Sequence, residues 1–191
     1  MDDECRALAL ALAEYRHRWP EETAVASFEE FLAGYADAFE RELAIGHFTG
    51  SAWLVSQDGT RVLLTHHRKL GLWLQLGGHA DGEKDLERVA LREAEQESGL
   101  DGLCVEAGLF DLDLHRIPAR GADAEHWHFD VRYVVRAGEN EAFVVSDESH
   151  ALAWRAIVEV ANDEVADASV RRMAKKWLER STAAPLPSGD G

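Results

Sequence analysis

Glu93 and Glu97 stand one helical turn apart in GGHADGEKDLERVALREAEQESGL, the stretch from Gly77 to Leu100. Leu86, Val89 and Ala90 follow the i, i+3, i+4 spacing of one helix face. At about 100° per residue, with Leu86 at zero, Glu93 falls at about 340° and Glu97 at about 20°. Both carboxylates therefore continue the apolar face, and as an i, i+4 pair they are neighbours. Two like charges on a half-buried face are costly unless a cation accompanies them. A divalent metal answers that need. So does a structural ion-pair network, for which Arg92 is a candidate. Gly77 and Gly78 open the stretch, and Gly99 suits the left-handed position that closes a helix.

Histidines form a second group. The chain has nine. His47 lies in GHFTGSAW, His66 and His67 in LLTHHRKLG, His79 in GGHAD, and His126 and His128 in HWHFD. On a strand His126 and His128 share one face, which Asp130 continues. With His79 they offer a nitrogen-rich site for zinc, manganese or iron. The alternatives are hydrogen bonds to a substrate or packing beside a sheet. Arg68 and Lys69 could reach phosphates, or they could occupy a solvated turn. Trp73, Trp127 and Phe129 could stack on a base, although aromatics that alternate along strands more often belong to a core.

These groups need elements to position them. Residues 2–18 and 21–43 read as helices, the first with a stripe of Leu8, Leu12 and Tyr15. Residues 51–55 and 61–65 read as a β-hairpin turning at Asp58-Gly59. LWLQL, residues 72–76, is a short strand leading into the glycines. A charged helix follows over 84–98. Residues 104–117 and 126–137 alternate as strands around a loop at 118–125. Residues 150–157 form a last strand, 169–180 a C-terminal helix with basic last turns, and 181–191 a disordered tail. The organisation expected is a helical N-terminal extension (1–45), an α/β domain (46–180) and the tail (181–191).

Composition bounds the function. A chain of 191 residues can bury one sizeable core. No apolar run is long enough to span a membrane, and the acidic start lacks the basic region of a signal peptide. Cys5 and Cys104 have no metal spacing, which suggests reduced thiols in the cytoplasm. A formal net charge of -16 disfavours non-specific nucleic-acid binding. An acidic chain can still act on anionic phosphates if cations are held locally.

The pattern Gly78-x5-Lys84-x7-Arg92-Glu93-Ala94-x-Gln96-Glu97-x-Gly99-Leu100 resembles the Nudix box. Two positions depart from it: Lys84 replaces the first glutamate, and Gln96 replaces the first of the paired glutamates. The resemblance implies an α/β/α sandwich around a mixed β-sheet. It also implies Mg2+- or Mn2+-dependent hydrolysis of a diphosphate linked to a nucleoside or another group. Carried onto this chain, Glu93, Glu97 and the Gly77 carbonyl become metal ligands, and Arg92 orients the carboxylates. Nudix enzymes often place a base on a loop far from the box, and Glu148 could fill that role; it could equally be a solvated loop residue.

His47, Gly77-Gly78-His79 and His126-Trp127-His128 also resemble the metal-binding segments of isopentenyl diphosphate isomerase, a Nudix-fold enzyme. Gly77 stands where that enzyme has its proton-transferring cysteine, which weakens the isomerase reading. Three functions are therefore expected in order: a hydrolase of a small diphosphate, a nucleotide-binding module without turnover, and a non-hydrolytic enzyme of the isomerase type. The partner expected is a small-molecule diphosphate, and a homodimer is left open.

Overall fold

The structure is a computed structural model that describes residues 2–67, 71–121, 124–144 and 149–183. Its strands form one mixed sheet around β1 (Gly46–Val55). Along one edge β1 pairs in parallel with β7 (His126–Arg136) over its whole length, from Gly46↔Trp127 to Val55↔Arg136. Its other edge is shared. β4 (Leu76–His79) pairs antiparallel with residues 49–52, and β2 (Arg61–His67) pairs at Val55. β2 continues to β3 (Trp73–Leu74) and β8 (Ser149–Ala156), and β7 continues to β5 (Cys104–Val105) and β6 (Asp111–Ile117). The sheet thus divides on both sides of the β1–β7 pair and curls.

Successive strand residues point to opposite faces. Phe48, Ala52, Leu54, Val131, Tyr133 and Val135 pack with α1 (Asp3–Arg18), α2 (Val25–Gly34) and α3 (Leu86–Ser98). Trp53, Val55, Val62, Leu64 and Val134 pack with α4 (Ile157–Asn162) and α5 (Ala168–Ala183). Helices therefore cover both faces, as the α/β/α expectation requires. The two N-terminal helices contribute Leu12, Tyr15, Phe28 and Phe31 to the same cluster as α3. No helix among the described residues is long and apolar enough to cross a membrane.

Several boundaries differ from the expectation. The second helix ends at Gly34 rather than running to residue 43. Tyr35 is extended, and the following turns carry Ala38 and Phe39 into the core. The expected strand over 72–76 is two strands. Residues before Gln75 pair with β2 and residues after it pair with β1, because these two strands have diverged. The expected strand over 104–117 breaks at residues 106–110, where Gly108 takes a φ of 88°. α4 was not anticipated, and α5 runs to Ala183. The remainder of the expected tail, 184–191, lies outside the described residues. Phe129 stacks on Phe31 with ring centroids 3.9 Å apart inside the core, which removes it as a base-stacking candidate.

Candidate active site

α3 is N-capped by Asp85, whose carboxylate accepts from the Arg88 amide at 3.2 Å, and C-capped by Gly99 in the left-handed conformation. Its buried face is Leu86, Val89, Ala90, Ala94 and Ser98. Glu93 and Glu97 are half-buried at the rim of that face. The helix sits close to the sheet: a Cβ on Gly50 of β1 would lie 2.9 Å from the Leu86 carbonyl oxygen.

The two glycines before His79 meet the two carboxylates. The Gly77 amide donates to Glu97 Oε1 at 2.9 Å. A Cβ on Gly78 would lie 2.6 Å from Cδ and Oε2 of Glu93, so only glycine leaves that carboxylate its place. Arg92 donates to Glu93 Oε1 through Nε at 3.2 Å and Nη2 at 3.0 Å, and Nη2 also donates to the His79 carbonyl at 3.1 Å. One guanidinium thus offsets one of the two carboxylate charges and ties α3 to β4. Two carboxylates beside the Gly-Gly backbone are hard oxygen donors, a set that fits Mg2+ or Mn2+.

The two departures from the box have structural settings. Gln96 is exposed, outside the packed face. Lys84 pairs with Asp2, the N-cap of α1, whose carboxylate also accepts from the Cys5 amide at 2.9 Å. Lys84 therefore binds the N-terminal helix to the loop that precedes α3.

The opposite face of the sheet carries a row of polar side chains that strand alternation alone does not assemble. Asp130 is buried and accepts from Thr49 Oγ1 (2.9 Å), Ser51 Oγ (2.7 Å), Gln75 Nε2 (3.3 Å) and Arg132 Nε (2.7 Å). Arg132, also buried, reaches Asp111 at 3.2 Å and Asp113 at 3.3 Å. Arg172 and Lys176 of α5 complete the set, each at hydrogen-bond distance from Asp111. The signal was present as alternation: Asp111, Asp113 and His115 on one strand, and His126, His128, Asp130 and Arg132 on the next. What was missing was the register, which sets Asp111 against Arg132, Asp113 against Asp130 and His115 against His128.

The row ends in histidines. His47, His126 and His128 each bring a ring nitrogen within 4.8 Å of the others. The His79 ring stands beside them, its centroid 5.0 Å from that of His47 and 5.1 Å from that of His128. His47 is buried, and neither of its ring nitrogens has a hydrogen-bond partner among the described residues. Burial, then the neighbouring His79 and His126, push His47 down to about 4. Burial and the surrounding imidazoles lower His128 further, to about 2. Both are therefore neutral near neutral pH. Strand alternation sends the His79 side chain to the face opposite the one Glu93 covers. The candidates thus fall into two neighbouring groups, Glu93, Glu97 and Arg92 on one side of β4 and the histidines on the other. Arg68, Lys69 and Glu148 lie outside the described residues.

A curled mixed sheet between two helical layers, with a strand–loop–helix that presses paired carboxylates against two glycines, is the architecture the box implied. A family model for the NUDIX domain matches residues 47–178. The chain belongs to the NUDIX family. A Mycobacterium tuberculosis protein named "Putative 8-oxo-dGTP diphosphatase 3" is 34% identical over 134 residues, which cover 66% of this chain and 57% of that protein. The chain thus spans little more than half the length of the curated relative it matches. A MutT NUDIX hydrolase from Burkholderia pseudomallei superposes with a TM-score of 0.52 at 25% identity, over 69% of this chain and 97% of the other. A C. elegans Ap4A hydrolase superposes with a TM-score of 0.57 over 72% of this chain and 98% of the other; at 14% identity this is a likeness of fold alone.

Proposed function

We propose that the chain is a divalent-metal-dependent hydrolase of a phosphoanhydride, acting on a nucleoside diphosphate derivative or a similar small diphosphate. The observation that supports this reading most is the convergence of Glu93 and Glu97 on Gly78 and Gly77 across the α3–β4 contact. In this reading Glu93, Glu97 and the Gly77 carbonyl hold Mg2+ or Mn2+, and Arg92 keeps Glu93 in place. A bound ion compensates the charge of the phosphates and favours in-line attack by water. Glu148 is the proposed base for that water. Arg68 and Lys69 are the proposed contacts to the outer phosphates. The free thiols Cys5 and Cys104 accord with a cytoplasmic setting.

The test is a panel of nucleoside triphosphates, 8-oxo-dGTP, dinucleoside polyphosphates and nucleotide sugars, with product identification in Mg2+, Mn2+ or excess chelator. Glu97→Gln retains an acceptor for the Gly77 amide but loses the charge, and should cut turnover by about 100-fold or more. Undiminished turnover in chelator, or a fully active Glu97→Gln, would falsify the reading. Tight nucleotide binding with no turnover across the panel would establish the binding-module alternative instead.

A further inference from the structure

We propose that His47, His126 and His128 form a tetrahedral site, its fourth position open, for one borderline divalent transition-metal ion of the Zn2+ and Co2+ class, distinct from the carboxylate site on α3.

The convergence of the ring nitrogens of His47, His126 and His128, all within 4.8 Å of one another, carries this inference, with the His79 ring beside them. A tetrahedral ion with metal–nitrogen bonds of about 2.05 Å separates its donor atoms by about 3.3 Å. His126 Nε2 and His128 Nε2 are 3.3 Å apart. A ring centroid bound at the same distance lies about 3.2 Å from the ion, so tetrahedral imidazoles have centroids about 5.2 Å apart. The separations are 5.0 Å for His47–His79, 5.0 Å for His47–His126 and 4.9 Å for His47–His128. They are 5.1 Å for His79–His128 and 5.2 Å for His126–His128.

The protonation pattern also suits a ligand set. His126 Nδ1 lies 2.8 Å from the Ala124 carbonyl oxygen, which can only accept. Nδ1 is therefore the donor in that contact, and Nε2 faces His128 Nε2, the arrangement that orients histidines at metals. His47 buries two ring nitrogens that find no partner among the described residues. Buried polar atoms in that state are rare and call for an unseen partner such as an ion. An all-imidazole set favours zinc and its neighbours over Mg2+, which prefers oxygen.

The site joins the beginnings of β1 and β7, beside His79 at the end of β4. Metal bound there would pin the β1–β7 pair against which β4 sets the glycines under Glu93 and Glu97. The inference does not depend on the hydrolase reading.

The test uses the full chain, stripped with chelator, dialysed and held in saturating Mg2+. Co2+ is then titrated while visible ligand-field absorption is recorded. The expected result is one Co2+ per chain with the intense visible bands of tetrahedral coordination, displaced by one equivalent of Zn2+. His126→Ala, a partly exposed position suited to retaining the fold, should weaken Co2+ binding by about 100-fold or more. His128→Gln should do the same, with circular dichroism checking both variants. Glu97→Gln should leave the Co2+ spectrum unchanged. The proposal is overturned if stoichiometric Co2+ gives no tetrahedral bands. It is also overturned if the bands survive both histidine substitutions in folded protein, or if they vanish in Glu97→Gln.

Discussion

Gly78 lies so close beneath Glu93 that a Cβ added to it would stand 2.6 Å from the carboxylate Cδ. The atoms it would meet belong to the far end of a flexible side chain, so the fold can absorb a methyl group there. The position of Glu93 cannot stay the same. Gly78→Ala should therefore lower hydrolysis by about 100-fold, the scale of a misplaced active-site group, while the melting temperature shifts little. Metal-dependent turnover and a thermal melt on the same preparation check both halves. An alanine variant with wild-type turnover would show that Glu93 need not sit where it does.

Gln96→Glu restores the paired glutamates of the box at an exposed position. If Glu93 and Glu97 already hold at least one metal, the added charge should give equal or higher turnover and the same or greater metal stoichiometry by calorimetry. Metal binding that appears only in the Gln96→Glu variant would favour the binding-module reading of the natural chain.

Asp111 is fully buried and receives Arg132 at 3.2 Å, Arg172 at 2.7 Å and Lys176 at 2.8 Å. Removing one member of a buried ionic set leaves the others uncompensated, at a cost of roughly 3–5 kcal/mol. Against a typical total stability of about 5–15 kcal/mol, Asp111→Ala should be severely destabilised. Urea denaturation measures the loss; a midpoint close to wild type would mean that the set contributes little.

Acid should weaken the same array through Asp113. Burial alone would raise its pKa, but the hydrogen bond from His115 and the Arg132 and Arg172 guanidiniums outweigh burial and hold it well below the usual carboxylate range. The unfolded chain, with Asp at about 3.9, then binds more protons than the folded one in the window below that value. Stability consequently rises with pH there. The contribution of Asp113 is complete above about pH 4 and fades as pH falls toward its folded value. Asp113→Asn should lower stability at neutral pH and flatten the acid limb of a stability–pH curve. An unchanged limb would place the acid sensitivity elsewhere.

Much of this protein follows from local periodicity. The face shared by Leu86, Val89, Glu93 and Glu97 depends only on helix geometry, and the shared face of His126, His128 and Asp130 only on strand alternation. The box spacing points to the family and to Gly77, Gly78 and Arg92, and in the structure those residues contact the two carboxylates. Lys84 shows the limit of a motif. Nothing near it in sequence announces its partner Asp2, which arrives through the packing of α1.

The tertiary structure decided which strands lie side by side. β1 and β7 pair in parallel with His47 opposite His128, although the 70 residues of chain between the two strands give no local clue to that register. A shift of one residue would turn His47 to the other face and dissolve both the histidine group and the Asp130 cradle of Thr49 and Ser51. The register is set by the burial of Phe48, Ala52, Leu54, Phe129, Val131 and Val135 on the face beneath. The apolar side chains thus fix the polar ones from the far side of the sheet. That coupling is a property of pairing between distant segments, where sequence periodicity supplies the faces but not their alignment.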